Sequence, residues 1–307
     1  MKVSIIGGGG RVGSDAAFAL QLTGIVREIA LVDANEDMAA GEALDLRHGS
    51  ALTANQIITS GNYDVVNGSD CVVITAGLRR KPDESRLELV NRNVVLFKQI
   101  LESVKGCKLN PGATILVVSN PVDILTQLAV DAGIVPAKQV LGLGTVLDTC
   151  RFRSLLADHF KTSPTDIKAL ILGEHGDSMV PIWSSATIGG VALSSVPGYS
   201  QSVAEGIFDF TKKSGAEVIR LKGGAGRAVG VSIMEVVNAM ALDNGKILPV
   251  SALQTGALGI SEISLSLPTV VGRNGVVQIL EPSVTDAERE LLHKSAQSLK
   301  DVLAQIS

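Results

Sequence analysis

The sequence has few of the residues that define disulfide-rich or membrane-spanning proteins. It contains three cysteines in 307 residues, and Cys71, Cys107 and Cys150 are too far apart for a CxxC or CxxH motif. This spacing indicates neither a disulfide framework nor a metal site, so we expect no metal and a reducing, cytoplasmic location. No run reaches the roughly 18 consecutive apolar residues of a spanning helix, so we expect no membrane partner.

An excess of basic charge is also missing. The chain has 27 Lys plus Arg against 31 Asp plus Glu, a formal net charge of −4. Such a surface does not attract a phosphate backbone, so we expect no nucleic acid partner. Apolar residues make up 46% of the chain, which is enough for a large core, and the length suits two domains.

The first half alternates short apolar runs with amphipathic stretches. The runs predict strands at 3–6, 28–32, 71–75, 114–119 and 140–143, and the stretches predict helices at 12–22, 36–46 and 87–104. Strands that are apolar on both faces and alternate with helices are typical of a covered parallel sheet. The pattern therefore predicts an α/β fold with a Rossmann doubly wound parallel sheet over residues 1–142.

After residue 142 the pattern changes to α+β. We predict helices at 145–157, 201–220 and 226–241, and strands at 168–172, 247–254 and 269–280. The last strand is interrupted by Asn274-Gly275, a hairpin signal. A final helix, capped by Ser283 or Thr285, runs to about residue 304. Residues 143–307 are thus expected to form an α+β catalytic and substrate domain.

A glycine-rich segment joins the first predicted strand to the first predicted helix. It fits GxGxxG from Gly8 or GxxGxxG from Gly7. Such a loop brings the backbone and a helix N-terminus close to a pyrophosphate, although glycines also make purely structural turns. Asp33, at the end of the second strand, favours NAD over NADP because a carboxylate accepts ribose hydroxyls and repels a ribose phosphate. The candidate loop contacts are Gly7, Gly8, Gly10, Arg11, Val12 and Gly13.

Arg11 leaves two alternatives open. It either reaches a cofactor phosphate or is a solvated charge at the helix start. If it met a ribose phosphate, some NADP use would be tolerated.

Four polar groups stand out against apolar surroundings. They are Ser119-Asn120-Pro121 after a strand, Asp148 with Arg151 one helical turn apart, His175 between two glycines, and the charged loop 76–86. Each has an ordinary structural explanation, such as a hydrogen-bonded histidine or a surface ion pair. Their presence together with a dinucleotide loop favours a catalytic site.

These motifs, GEHGDS, LDTCRFR, SNPVD and RKPDESR, resemble those of the lactate/malate dehydrogenase family over nearly the whole chain. The resemblance implies that His175 is the acid/base, Asp148 its partner, Arg151 the carboxylate ligand and Arg86 the polarising residue of a closing loop. It implies that Asn120 orients substrate and nicotinamide, and that Asn93 and Val118 also contact NAD. It further implies a homotetramer or homodimer.

Within the family, Arg80 favours malate. Malate enzymes have arginine there and lactate enzymes glutamine, and a second guanidinium would pair with the distal carboxylate of oxaloacetate. Ala225 leaves room for a longer substrate, whereas Glu84 is an acid more usual in lactate enzymes. We expect a malate dehydrogenase of the lactate-dehydrogenase-like type, acting on malate/oxaloacetate in the tricarboxylic acid cycle. The alternatives are a lactate or broad 2-hydroxyacid dehydrogenase and, more remotely, a non-catalytic dinucleotide-binding protein.

Overall fold

The structure is a computed structural model that describes residues 1–78 and 83–306, with the side chain of Arg86 outside the description. In its first half, short strands alternate with helices. The strands are β1 (Lys2–Ile6), β2 (Glu28–Val32), β3 (Ile57–Ser60), β4 (Cys71–Ile74), β5 (Thr114–Val117) and β6 (Val140–Gly142). The helices are α1 (Arg11–Thr23), α2 (Glu36–Gly49), α3 (Arg86–Lys105), α4 (Val122–Asp131) and α5 (Val146–Phe160).

The second half contains antiparallel strands and three longer helices. The strands are β7 (Ile167–Leu172), β8 (Val180–Ile188), β9 (Val191–Ala192), β10 (Lys246–Leu248), β11 (Ser251–Thr255), β12 (Ser261–Ser266), β13 (Thr269–Gly272) and β14 (Gly275–Ile279). The helices are α6 (Gln201–Lys222), α7 (Arg227–Leu242) and α8 (Asp286–Ile306). The predicted hairpin at Asn274-Gly275 is confirmed as the β13–β14 turn.

The largest sheet has the strand order β12-β11-β6-β5-β4-β1-β2-β3, and β1 to β6 are parallel. Strand β1 pairs with β2 on one side and β4 on the other, so the winding direction reverses there. Ligands of open α/β sheets bind at such a switch point, beyond the carboxyl ends of the strands. The predicted Rossmann doubly wound fold class is confirmed.

Helices cover both faces of this sheet, which explains the uninterrupted apolar runs. Val3 and Ile5 of β1 pack into a core that includes α1, α2 and α7, whereas Ile6 belongs to the core under α3 and α4. Alternate side chains of one strand therefore enter opposite cores, and both sets are buried. Each strand is apolar because neither face meets water.

The predicted strand over residues 247–254 is wrong as a single element. The chain forms β10 in a small sheet and then β11 in the large sheet, with Pro249 at the break. Proline has no N–H to continue a ladder, so a change of partner sheet is favoured at that position. Strands β11 and β12 then extend the parallel sheet in antiparallel fashion, which the sequence pattern did not indicate.

The two longest helices of the second half are α6 and α8. Helix α8 begins with a capping box: Glu288 N–H donates to Thr285 Oγ1 at 3.2 Å, and Thr285 N–H donates to Glu288 Oε2 at 2.8 Å. Of the two predicted caps, Thr285 is confirmed. Among the described residues, no helix combines the length and apolar character needed to cross a bilayer.

The glycine loop predicts a strong position effect on stability. In α1, a Cβ on Gly13 would overlap the carbonyl of Gly7, which is backbone and has little room to move. In α2, a Cβ on exposed Gly41 would meet nothing within 4 Å. We expect Gly13→Ala to lower the free energy of unfolding by about 1–3 kcal/mol and Gly41→Ala to raise it by up to about 1 kcal/mol.

Urea unfolding of both variants and the parent measures this difference. An alanine at residue 13 that left the unfolding midpoint unchanged would contradict the close approach of α1 to the loop.

Candidate active site

The loop from Gly7 to Gly10 is tied to the carboxyl ends of β2 and β4. Gly7 N–H and Gly8 N–H both donate to Val32 O, at 2.7 and 3.0 Å. Gly7 has φ +91°, and a Cβ there would lie 2.6 Å from the backbone nitrogen of Ala76. Only glycine suits this position, because a side chain would need a rare positive φ and would collide with the backbone at Ala76.

The first amide groups of α1 follow directly after this loop. Its N-cap, Gly10, offers no capping side chain, and the first turn contains no acid. The first intrahelical bond is donated by Ser14 N–H to Gly10 O at 2.9 Å, so the N–H groups of Arg11, Val12 and Gly13 precede it. Uncapped amides and the helix dipole favour an anion here, and the loop therefore fits the pyrophosphate of a dinucleotide.

Asp33 lies beside the loop, as the sequence predicts. Its Oδ2 accepts from Gly9 N–H at 3.1 Å and its Oδ1 accepts from Asn35 N–H at 3.0 Å. These two bonds hold the carboxylate at the end of β2, where it can also accept ribose hydroxyls.

Arg11 does what neither sequence interpretation anticipated. Its Nη1 donates to Gly224 O at 2.8 Å and to Lys222 O at 3.1 Å. These carbonyls lie at the C-terminal end of α6, where a cation is favoured by the helix dipole. The guanidinium therefore ties the glycine loop to the segment that contains Ala225, and its contact with a cofactor phosphate stays a prediction.

Asn93, Val118 and Asn120 lie around the ends of β4 and β5. Asn93 Oδ1 accepts from Leu78 N–H at 2.7 Å and so fixes the start of the charged loop. Val118 and exposed Asn120 follow β5 directly, and between them Ser119 Oγ donates to Ala76 O at 2.5 Å. The three predicted residues thus surround one sheet edge, next to the glycine loop.

His175 and Asp148 form the central contact of the second half. Asp148, in the first turn of α5, is 1% exposed, and its Oδ2 lies 2.5 Å from His175 Nδ1. His175 follows β7 after Gly173, which has φ +84° and turns the chain back toward α5. The imidazole keeps 25% of its surface exposed, so one ring edge is held while the other remains accessible.

Arg151 completes the group from one turn further along α5. Its Nη1 donates to Asp148 Oδ1 at 3.1 Å, and its side chain is 18% exposed. Asp148 therefore has a cationic partner on each oxygen when His175 is protonated. A buried carboxylate is tolerated only with such partners, and the predicted residues His175, Asp148 and Arg151 are brought together.

The pKa values reflect this arrangement. Burial alone would lower the pKa of His175, but the charge and hydrogen bond of Asp148, with a contribution from Asp123, outweigh it and raise the pKa. Burial alone would raise the pKa of Asp148, yet His175 and Arg151 lower it. The pair is thus stabilised as imidazolium and carboxylate, which equips His175 to deliver a proton.

The charged loop is described only in part. Arg80 lies outside the described residues, and so does the side chain of Arg86, whose backbone begins α3. Glu84 is buried, and its Oε1 accepts from Arg92 Nη1 at 2.5 Å. This pair anchors the end of the loop to α3.

Asp123 is a residue of the site that the sequence analysis did not single out. It is 2% exposed, and its Oδ2 accepts from the backbone N–H of His175 at 2.7 Å. The available signal was an acid near the start of an otherwise apolar helix.

Loss of the Asp148 charge should change the titration of His175. In Asp148→Asn, burial of the imidazole is opposed only by Asp123, so we expect the pKa of His175 to fall. Asp158→Asn, on an exposed face of the same helix, should leave the pKa of His175 unchanged. Proton NMR titration of the histidine ring protons, assigned with a His175→Gln variant, measures both. An unchanged His175 titration in Asp148→Asn would contradict the stabilised imidazolium.

Comparison with known proteins gives full-length matches. Residues 1–142 match the family profile described as lactate/malate dehydrogenase, NAD binding domain, and residues 145–307 match lactate/malate dehydrogenase, alpha/beta C-terminal domain. The chain is 43% identical to L-lactate dehydrogenase 1 of Clostridium acetobutylicum over 99% of this chain and 98% of that protein. It is 40% identical to an L-lactate dehydrogenase of Synechococcus sp. (strain JA-3-3Ab), over 100% and 99%.

A solved structure that is similar to this chain is also that of an L-lactate dehydrogenase. The minor L-lactate dehydrogenase of Enterococcus mundtii, in its ligands-bound form, is similar with a TM-score of 0.95 and 36% identity. The match covers 100% of this chain and 98% of that one.

These relatives overturn the expectation of a malate dehydrogenase, and with it the tricarboxylic acid cycle assignment and malate/oxaloacetate as substrates. The named relatives are L-lactate dehydrogenases across their full length. The expectation rested mainly on the charge of Arg80, with the small Ala225 as a second ground. Arg80 lies outside the described residues, so the structure gives no contact that supports its assigned role.

The family profiles together cover nearly all of the chain, and the described part of it contains the glycine loop and the His175–Asp148–Arg151 group. The protein has an NAD-binding domain and acts on a small molecule. It belongs to the lactate/malate dehydrogenase family.

Proposed function

We propose that this protein is an L-lactate dehydrogenase that reversibly reduces pyruvate to lactate with NADH. The observation that carries the proposal is the contact of His175 Nδ1 with buried Asp148, within a chain that resembles L-lactate dehydrogenases over its full length. Reduction of a 2-keto acid requires a proton at the carbonyl oxygen, and a protonated imidazole with one free nitrogen supplies it.

In this proposal Asp148 fixes the ring of His175 so that Nε2 faces the substrate oxygen. The raised pKa increases the fraction of the imidazole that is protonated. Reduction then weakens as pH rises through that pKa, and lactate oxidation, which needs the neutral base, weakens as pH falls through it.

Arg151 is the proposed ligand of the substrate carboxylate. Its guanidinium is a planar fork suited to bidentate binding, and Asp148 holds it one turn from the acid/base residue. Asn120 and Arg86, by the family resemblance, orient and polarise the carbonyl, and loop residues up to Arg86 close over the substrate. Pyruvate presents a single carboxylate, which Arg151 neutralises.

We propose NAD as the cofactor, held by the glycine loop. The proposed neighbouring contacts are Val12, Asn93, Val118 and Asn120. When bound, NADH supplies the hydride that reduces the keto carbon. Asp33 favours NAD over NADP because it repels a ribose phosphate.

The protein is proposed to act as a homodimer or homotetramer. Apolar side chains are exposed on the outer faces of α1 and α2, with Phe18 at 45%, Leu22 at 60% and Met38 at 51%. Self-association would remove this surface from water. By contrast, most apolar residues between 229 and 240 are buried within the subunit, so that stretch is mainly core.

Steady-state kinetics with four substrate pairs tests the proposed activity: pyruvate or oxaloacetate, each with NADH or NADPH. We expect kcat/KM for pyruvate with NADH to exceed that for oxaloacetate by at least about tenfold. NADPH should support a lower rate than NADH with either acid. A preference for oxaloacetate would show that the lactate proposal is wrong, and absence of turnover with both acids would exclude a dehydrogenase of this type.

Removal of the imidazole tests the proposed acid. His175→Ala should lower kcat by about 10² to 10⁴, while NADH binding, followed by fluorescence, stays within twofold of the parent. The matched control is His159→Ala, an exposed histidine on α5, which should retain full activity. Retained turnover in His175→Ala would eliminate this residue as the proton donor.

A further inference from the structure

A buried carboxylate that the proposed mechanism does not use lies directly behind His175. Asp123 is the second residue of α4, where its neighbours Val122, Ile124 and Leu125 are buried apolar side chains. Burial raises its pKa to about 6, although Ser251, the N–H of His175 and the charge of His175 all act in the opposite direction. A carboxyl group that is only 2% exposed is thus placed among apolar side chains.

The carboxylate has two polar neighbours, a backbone N–H and a buried hydroxyl. Oδ2 accepts from His175 N–H at 2.7 Å, across 52 residues of sequence. The buried hydroxyl of Ser251 is a second neighbour, and its hydrogen bond lowers the pKa of Asp123. A neutral amide oxygen would also accept a hydrogen bond from the His175 N–H. The charge itself therefore calls for a reason, because a buried charge is costly.

Two features favour the charge at this point. The N-terminus of α4 has no capping side chain on Pro121, and its dipole stabilises an acid in the first turn. The second is the imidazole of His175, since Asp123 is one of the charges that stabilise its protonated form. The negative charge and the imidazolium thus stabilise each other.

We propose that Asp123 is a positioning residue for the reaction: it fixes the main chain of His175 and adds a second negative charge that favours the protonated imidazole. The effect on the reaction rests on the proposed function, whereas the effect of Asp123 on His175 does not depend on it. Asp148 acts on the ring and Asp123 on the backbone, so two carboxylates from two helices hold one histidine. Since Asn120 lies three residues before Asp123, the same helix start also sets the distance between Asn120 and His175.

Among the described residues, few charged side chains act on His175. Helix α5 contributes Asp148 and Arg151, of which Arg151 disfavours the imidazolium, and α4 contributes Asp123. Glu174 precedes His175 and acts on Asp123 by repulsion. From α8 and β12 the neighbours at Glu174 and Gly173 are uncharged: Ser295 Oγ accepts from Glu174 N–H, and Ser266 pairs with Gly173. Asp123 is therefore the second anion acting on His175 from this set.

The test is Asp123→Asn, which keeps an acceptor for His175 N–H and removes the charge. We expect the His175 ring protons to titrate at lower pH than in the parent by NMR. In the pH profile of kcat/KM for pyruvate, we expect values about threefold to tenfold below those of the parent on the alkaline side. A fall of one unit in the His175 pKa corresponds to a tenfold loss there. At acidic pH the two proteins should agree within twofold. Asp123→Glu should restore the parent profile.

The matched control is Asp131→Asn, which removes the same charge from the exposed end of the same helix and should move neither the titration nor the profile. A folded Asp123→Asn with the parent titration would overturn the proposal, because the role would then be hydrogen bonding alone. If neither Asp123→Asn nor Asp123→Ser folds, Asp123 is a structural residue and the proposal is equally wrong.

The NMR titration needs no turnover, so it separates the two proposals. A shifted titration in a protein that does not reduce pyruvate would remove the proposed function and leave the action of Asp123 on His175 standing. If the parent reduces pyruvate but the His175 titration is the same in Asp123→Asn as in the parent, the proposed function stands and the proposed action of Asp123 is wrong.

Discussion

The ion pair of His175 and Asp148 is the interaction on which the rest of the site depends. An aspartate that is 1% exposed would be severely destabilising without partners, because the interior does not solvate its charge. Here each carboxylate oxygen has one partner, His175 on one side and Arg151 on the other. The cost of burying the carboxylate is thus offset by the groups that perform the proposed chemistry, in which the imidazole gives its proton to a substrate oxygen.

The fold explains how residues so distant in sequence meet. Parallel strands place their carboxyl ends along one edge, and the reversal of winding at β1 opens that edge beside the glycine loop. The helices α4 and α5 start close to this edge after β5 and β6, and each presents an acid from its first turn to His175. Helix N-termini, which favour negative charge, therefore supply both carboxylates.

Much of this was predictable because it follows from local rules. The glycine loop, Asp33 and the parallel sheet depend on short-range pattern, and Asp148 with Arg151 on helical spacing. Arg11 was not predictable, because its partners lie 211 and 213 residues away and their carbonyls have no side-chain signature. Asp123 was missed for a similar reason, since its partner is a backbone N–H. The substrate was predicted wrongly because Arg80 was given more weight than Glu84, and the sequence alone does not show how the side chains of this loop are paired.

The central claim is that His175 receives and holds a proton for the substrate oxygen. It is tested most directly by proton uptake when oxamate, an unreactive isostere of pyruvate, binds the protein saturated with NADH, measured with a pH indicator in weak buffer. Above the pKa of free His175 we expect uptake of about one proton per subunit in the parent and none in His175→Gln. Binding of oxamate to the parent without proton uptake at any pH, or equal uptake in the variant, would contradict the claim.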